Sequence, residues 1–103
     1  MYKLCFFVPS PYLEKVKNAV FSAGAGRYGG YEDYCWQTLG ASQFRPVAGS
    51  IPFTGKQGVL ETIEEYKVET LCPEHLIEAV VQALKAAHPY EEPAFEYWPV
   101  HLS

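Results

Sequence analysis

The residues best suited to chemistry in this 103-residue chain lie in one short segment, His88–Pro93, in which an imidazole is followed by a phenol and two adjacent carboxylates between two prolines. A histidine with carboxylates is a donor set for a divalent cation, so His88, Glu91 and Glu92 are the candidate metal ligands. Adjacent residues of an extended chain point to opposite sides, so at most one of the two glutamates is expected to join His88.

Two other interpretations of His88 stay open. In the first, the imidazole is structural and caps carbonyl groups at the end of the preceding helix. In the second, it is the base of an acid–base pair in an enzyme. The enzyme hypothesis is the least favoured, because no nucleophile motif or cofactor motif accompanies the histidine.

A second candidate site is the glycine-rich segment Gly24–Gly30, which formally matches the pattern G-x-G-x-x-G. A dinucleotide-binding fingerprint follows a strand and opens a helix, whereas this segment follows a predicted helix and leads to a strand. We therefore reject the dinucleotide hypothesis. The backbone N–H groups around Gly26 and Gly29, with Arg27 beside them, are instead candidate contacts for an anion. A tight connection without a ligand explains the same glycines.

The segment 45–58 is long for so small a chain and is rich in glycine and proline. Connections of this length are usually functional or mobile. Arg45 and Lys56 add two cations to the candidate anion site, although solvated loop charges are the favoured interpretation. Gly55–Gln57 is not a nucleotide-binding P-loop, because the serine or threonine that would follow the lysine is absent.

Composition excludes two classes of partner. The net charge is −4 and the basic residues are scattered, so neither nucleic acid nor an anionic membrane is an expected partner. No apolar run approaches the roughly 20 residues that span a bilayer, and the start of the chain is not expected to be a signal peptide. The three cysteines form no C-x-x-C pair, and we interpret them as reduced, mostly buried thiols of a cytoplasmic protein.

The spacing of apolar residues predicts four strands and two helices in the order β-α-β-β-α-β. The predicted strands cover 2–8, 34–44, 59–71 and 94–100, and the predicted helices cover 11–23 and 73–87. This order is the split β-α-β plan, an α+β, ferredoxin-like sandwich in which two helices cover one face of an antiparallel sheet. One domain accounts for residues 1–103.

Three local features are predicted within these elements. Ser10 is a suitable N-cap for the first helix, and Gly40 predicts a bulge in the second strand. In the third strand, Ile63 alternates in step with charged residues, which predicts another bulge near Glu64 and Glu65. We interpret the carboxylates of that strand as a solvated acidic face rather than as metal ligands.

A set of motifs spread over nearly the whole chain comprises Phe21–Gly26, Gly29 with Tyr31, Gly40–Phe44, Pro46, Pro52, Gly55–Gly58, Glu61 and His88–Ala94. Together they resemble the inserted domain of the YqfO/YbgI-like proteins, also called the NGG-interacting-factor-three-like family. The resemblance implies a fold similar to CutA and PII, and CutA-like forms associate as trimers. It implies no catalytic residue, because the larger α/β domain that carries the family's dimetal site and any hydrolase chemistry has no counterpart in these residues. We interpret the chain as the insert standing alone.

The sequence thus predicts a cytoplasmic, homo-oligomeric module that binds a small ligand or a divalent metal ion and is not an enzyme. The resemblance to CutA favours a trimer, and a dimer is the alternative. The alternative function is a structural or protein-interaction domain without a ligand, because the many tyrosines and tryptophans suit an interface as well as a core.

Overall fold

The computed structural model describes residues 1–103 and contains four β-strands and two α-helices. Their bounds are β1 Tyr2–Pro9, α1 Leu13–Ser22, β2 Trp36–Phe44, β3 Glu61–Cys72, α2 Ile77–Ala87 and β4 Phe95–Pro99. Short 3₁₀ turns precede the two helices at Ser10–Tyr12 and Glu74–Leu76. Neither helix is long and apolar enough to cross a membrane.

The four strands form one antiparallel sheet in the order β2-β3-β1-β4. Strands β1 and β3 are therefore central, and β2 and β4 are the edges. This order and the β-α-β-β-α-β succession confirm the predicted ferredoxin-like α+β fold. Beyond β4, the backbone N–H of Val100 donates to the carbonyl of Met1 at 3.0 Å, which extends the β1–β4 pairing by one bond.

The hydrophobic core lies between the helices and one face of the sheet. Alternate residues of a strand point to the same face, and Leu4, Phe6 and Val8 of β1 are all fully buried in this core. The helices meet them with apolar residues spaced three or four apart, among them Val16 and Val20 in α1 and Val80 and Leu84 in α2. The opposite face of the sheet, here called the open face, carries no helix.

The helix starts differ from the prediction. Pro11 and Pro73 lie at the 3₁₀ turns, and each α-helix begins only after its turn. Ser10 makes no cap hydrogen bond. Its hydroxyl instead donates to Oε1 of Glu64 at 2.8 Å, because the turn brings Ser10 beside β3.

The predicted bulges are absent, and this part of the prediction was wrong. The β2–β3 register runs without interruption, with Gly40 opposite Glu65, Ala41 opposite Glu64 and Ser42 opposite Ile63. Glu65 and Ile63 consequently share the open face. Ile63 alternates in step with charged residues because the open face carries both polar and apolar side chains, and part of that face is shielded from solvent.

Candidate functional site

A cavity of about 500 Å³ lies beside the sheet where the segment 45–58 and the segment His88–Pro93 converge. Its lining comes from the sheet, from the loop after β2 and from the turn between α2 and β4. The lining residues are Phe7, Ser42, Phe44, Pro46, Gly49, Ser50, Ile51, Pro52, Phe53, Thr54, Glu65, Tyr90, Glu91, Glu92 and Ala94. The two segments singled out by the sequence thus contribute to one concave site.

Tyr90 joins the parts of this cavity. Its hydroxyl donates a hydrogen bond to Oε2 of Glu65 at 2.7 Å. Its ring lies 5.8 Å from the ring of Phe53 in the loop, and Phe53 also contacts Tyr12 edge to face at 5.8 Å. Burial and the hydrogen bond to Glu65 raise the pKa of Tyr90, so the phenol stays protonated and acts as a donor. The loop therefore packs through Phe53 on the 3₁₀ turn and on Tyr90, and Tyr90 in turn is hydrogen-bonded to the sheet.

His88 occupies a structural position behind Tyr90. Its ring lies between the carbonyl of Phe7, 2.7 Å from Nε2, and the backbone N–H of Tyr90, which donates to Nδ1 at 3.1 Å. An Nδ1 that accepts leaves the proton on Nε2, which donates to the carbonyl. Burial lowers the pKa of His88, opposed by the hydrogen bond to Phe7 and the charge of Glu65. A neutral imidazole thus anchors the turn to β1.

The candidate metal ligands are only partly brought together. Glu91 and Glu92 are exposed and line the cavity, whereas both ring nitrogens of His88 already have backbone partners. No group of three or more histidine, cysteine, aspartate or glutamate side chains is placed to hold a metal ion. A metal site at His88 with one of the glutamates stays a prediction, and it requires the imidazole to release a backbone hydrogen bond.

The candidate anion contacts fall into two groups. Gly26 is buried, its N–H donates to the carbonyl of Leu71 at 2.8 Å and its carbonyl accepts from Tyr34. Arg27 and Gly29 are exposed nearby, before β2. The nine residues of β2, at about 3.3 Å each, separate this group from the next one.

Arg45 and Lys56 form the second group, in the loop after β2. Both are exposed, and neither lines the cavity. The structure therefore does not bring all five predicted anion contacts to one place. An anion site at either group stays a prediction.

Glu65 is the site residue that sequence reasoning missed. Its alternation with other charged residues favoured a solvated position, but its side chain is only 5% exposed. It lies between Pro9 of β1 and Gly40 of β2, with the loop and the turn beyond it. The sequence did contain one indication of this burial. Ile63 lies two residues before Glu65 on the same face of β3, and an apolar residue there indicates that the face is partly covered.

The cysteines lie outside the cavity. All three are free thiols, with Cys5 and Cys72 buried and Cys35 half-buried. Burial raises the pKa of each thiol, which keeps the sulfur protonated and weakly nucleophilic. Their placement agrees with the interpretation of structural thiols.

No family model matches the chain, but individual proteins do. A GTP cyclohydrolase 1 type 2 homolog of Halalkalibacterium halodurans is 43% identical over 100 residues, which are 97% of this chain and 27% of that protein. A solved structure of a Bacillus cereus protein related to NIF3 superposes with a TM-score of 0.83 at 36% identity, over 96% of this chain and 25% of that one. The chain thus spans about a quarter of the length of the relatives it matches.

The fold also occurs in smaller proteins. The periplasmic divalent cation tolerance protein CutA of Archaeoglobus fulgidus has a TM-score of 0.70 at 16% identity, and the match covers 100% of this chain and 87% of that one. At this identity the likeness concerns the fold alone. Together the comparisons confirm the resemblance to one segment of the NIF3-like, or YqfO-like, proteins and the CutA-like fold.

Proposed function

We propose that this chain is a non-catalytic module that binds a small ligand in the cavity between the 46–54 loop and the turn containing Tyr90. The observation that carries the proposal is the convergence of these two segments on the buried Glu65. The cavity, at about 500 Å³, has the size of small-molecule sites, and it combines apolar walls with a few polar groups as such sites do. If the module is regulatory, the bound ligand acts by changing the conformation of the 46–54 loop, which forms part of the cavity wall.

The available groups support binding rather than catalysis. His88, the candidate base, has both nitrogens engaged with the backbone. Of the lining hydroxyls, that of Ser50 donates to the carbonyl of Val47 at 2.7 Å, so it is not activated by a base. The relatives are named as homologs of a GTP cyclohydrolase, but the match involves about a quarter of their length. We therefore assign no reaction to these residues.

A blocked cavity tests this proposal. Ser42 lines the cavity, and in Ser42→Trp the larger side chain would fill it. Gln43→Trp is the matched control, because Gln43 is the next residue of β2 and points to the opposite face. Ligands found in a fragment screen by amide-proton NMR should shift the resonances of 46–54 and Tyr90, bind the control variant normally and fail to bind Ser42→Trp. Fragment binding that is the same in both variants would refute the cavity as the site.

We also propose that the module is a cytoplasmic homo-oligomer. The open face carries Trp36, 64% exposed, at one edge and Trp98, 39% exposed, at the other. Large exposed aromatic residues are common in protein interfaces, and a sheet face without helices offers a surface for a second copy. A trimer is favoured by likeness to CutA, and a dimer is the alternative.

Mass-resolved light scattering tests the assembly. A trimer has three times the 11.6 kDa mass of one chain, and Trp36→Lys should shift the mass toward that of one chain. A wild-type mass of one chain at micromolar concentration would refute the homo-oligomer. An oligomer that binds no fragment would favour the second candidate function, a structural or protein-interaction domain, for which exposed Trp36 is the supporting observation.

A further inference from the structure

We infer that the ligand of this cavity is a small organic cation, an amine or ammonium group attached to an apolar body. The inference rests on the proposed function and adds the chemical class of the ligand. Three properties of the cavity lead to it: the sign of its charges, the free oxygen of a buried carboxylate and the aromatic character of its walls.

The charges of the cavity are of one sign. Glu65, Glu91 and Glu92 line it, and no lysine, arginine or histidine does. Three carboxylates around a concave, partly apolar site produce a negative potential that attracts cations and repels anions. Arg45 and Lys56, the two cations of the adjoining loop segment, lie outside the lining. A carboxylate or phosphate ligand is therefore disfavoured here.

Glu65 supplies the anchoring group. One of its oxygens, Oε2, accepts the hydrogen bond from Tyr90, and Glu65 is absent from the two ion pairs of the structure, which join Met1 with Glu74 and Glu14 with Lys17. The second oxygen of Glu65 accepts no hydrogen bond and is not fully enclosed, and Glu65 lines the cavity. Glu65 also lines a smaller neighbouring hollow together with Lys67, which forms neither of the two ion pairs. A carboxylate that is 5% exposed ordinarily has a cationic partner. A ligand ammonium group in the cavity would provide one.

The walls distinguish an organic cation from a metal ion. The aromatic residues Phe44, Phe53 and Tyr90 line the cavity, and the faces of aromatic rings attract ammonium groups while also burying hydrocarbon. Hard divalent cations require six or more oxygen ligands, including water, and no cluster of three metal-binding side chains exists. An amine needs only one carboxylate and an aromatic wall, and both are present.

The test compares three probes of similar shape, phenethylamine, phenethyl alcohol and hydrocinnamate, which carry a positive, a neutral and a negative group. Each is titrated into the full chain and followed by amide-proton NMR at Tyr90 and the 46–54 loop. We expect the amine to bind about tenfold more tightly than the alcohol, and hydrocinnamate to bind more weakly than either. Glu65→Gln should remove the advantage of the amine without weakening the alcohol, because glutamine can still accept from Tyr90. Glu78→Gln, at an exposed position of α2 outside the cavity lining, is the control and should change the affinity less than about twofold.

The outcomes separate this inference from the proposed function. Equal binding of amine and alcohol, preferential binding of hydrocinnamate, or tighter Glu65-dependent binding of manganese chloride would overturn the organic-cation class while leaving the cavity as a ligand site. Absence of cavity binding by every probe would overturn both. If Glu65→Gln does not fold, the ranking of the three probes on the wild-type chain still decides the ligand class.

Discussion

The Tyr90 hydroxyl donates to the Glu65 carboxylate across 2.7 Å, and this hydrogen bond links the turn after α2 to the centre of the sheet. The two residues are 25 positions apart in the chain. The contact matters for two properties, the stability of the fold and the placement of the carboxylate in the cavity.

Removal of this hydroxyl in Tyr90→Phe should destabilise the fold by about 1–3 kcal/mol, because a buried hydrogen bond to a charged group is lost and Glu65 is left with no protein donor. The ring contacts with Phe53 and His88 are retained. The measurement is urea unfolding. Tyr97→Phe is the control at a position that is 43% exposed, where the expected loss is below about 0.5 kcal/mol. Equal effects of the two substitutions would contradict the role of the hydrogen bond.

The stability of the fold should decrease at acidic pH through His88. Burial lowers the pKa of the folded imidazole from its ordinary value of 6.5, so below that value the unfolded chain binds a proton more readily than the folded chain. Stability is then fully present above pH 6.5 and declines as the pH falls toward the lower pKa of the folded state.

The variant His88→Gln should cost about 1–3 kcal/mol at neutral pH, and the difference from wild type should shrink as the pH falls below 6.5. Unfolding midpoints in urea at several pH values provide the measurement. His75→Gln is the control, since His75 is exposed, and it should retain the wild-type pH dependence. A difference between His88→Gln and wild type that is constant with pH would show that His88 does not titrate in this range.

Substitution by alanine should change the stability of the fold differently at Gly26 and at Gly40. Gly26 has φ +84°, and an added Cβ would lie 2.7 Å from Cδ1 of Phe21 and 3.1 Å from the backbone nitrogen of Tyr34. Gly26→Ala should therefore lose about 1–3 kcal/mol. Gly40 has open space around its Cα and no positive φ, so Gly40→Ala should be neutral or gain up to about 1 kcal/mol. Marked destabilisation by Gly40→Ala in urea unfolding would contradict the open space around Gly40.

The thiols should resist alkylation in the folded state. Iodoacetamide at neutral pH, followed by mass spectrometry, should modify the half-buried Cys35 before Cys5 and Cys72, and all three rapidly in urea. The reason is that burial removes access and raises each thiol pKa. Rapid modification of Cys5 in the native protein would contradict its burial on the open face.

The sequence predicted the fold well because the fold depends on local periodicity. The alternation of Leu4, Phe6 and Val8 and the helical spacing of Val16 and Val20 mark one buried side of each element, and the ferredoxin-like arrangement brings these sides together in this element order. The helix starts were placed two residues early for α1 and four residues early for α2, because a proline fits a 3₁₀ turn as well as a first α-helical position.

The site was predicted only in part, because it depends on tertiary covering. The 45–58 loop and the His88 segment were recognised from composition, but nothing local shows that Phe53 reaches Tyr90. Glu65 was assigned to solvent because β3 alone does not reveal that a loop lies over it. The burial of a charged residue under a distant segment leaves no periodic pattern in the sequence.

The hydrogen bond between Val100 and Met1 has a topological consequence. It holds Met1 beside the end of the last strand. A linker of a few residues would therefore join Val100 to Met1, and the domain could be reopened at the exposed Gly29–Gly30 turn. Such a circular permutant would keep every strand pairing of the sheet. For the same reason, the domain could be inserted into a surface loop of a larger protein, because Met1 and Val100 lie close together.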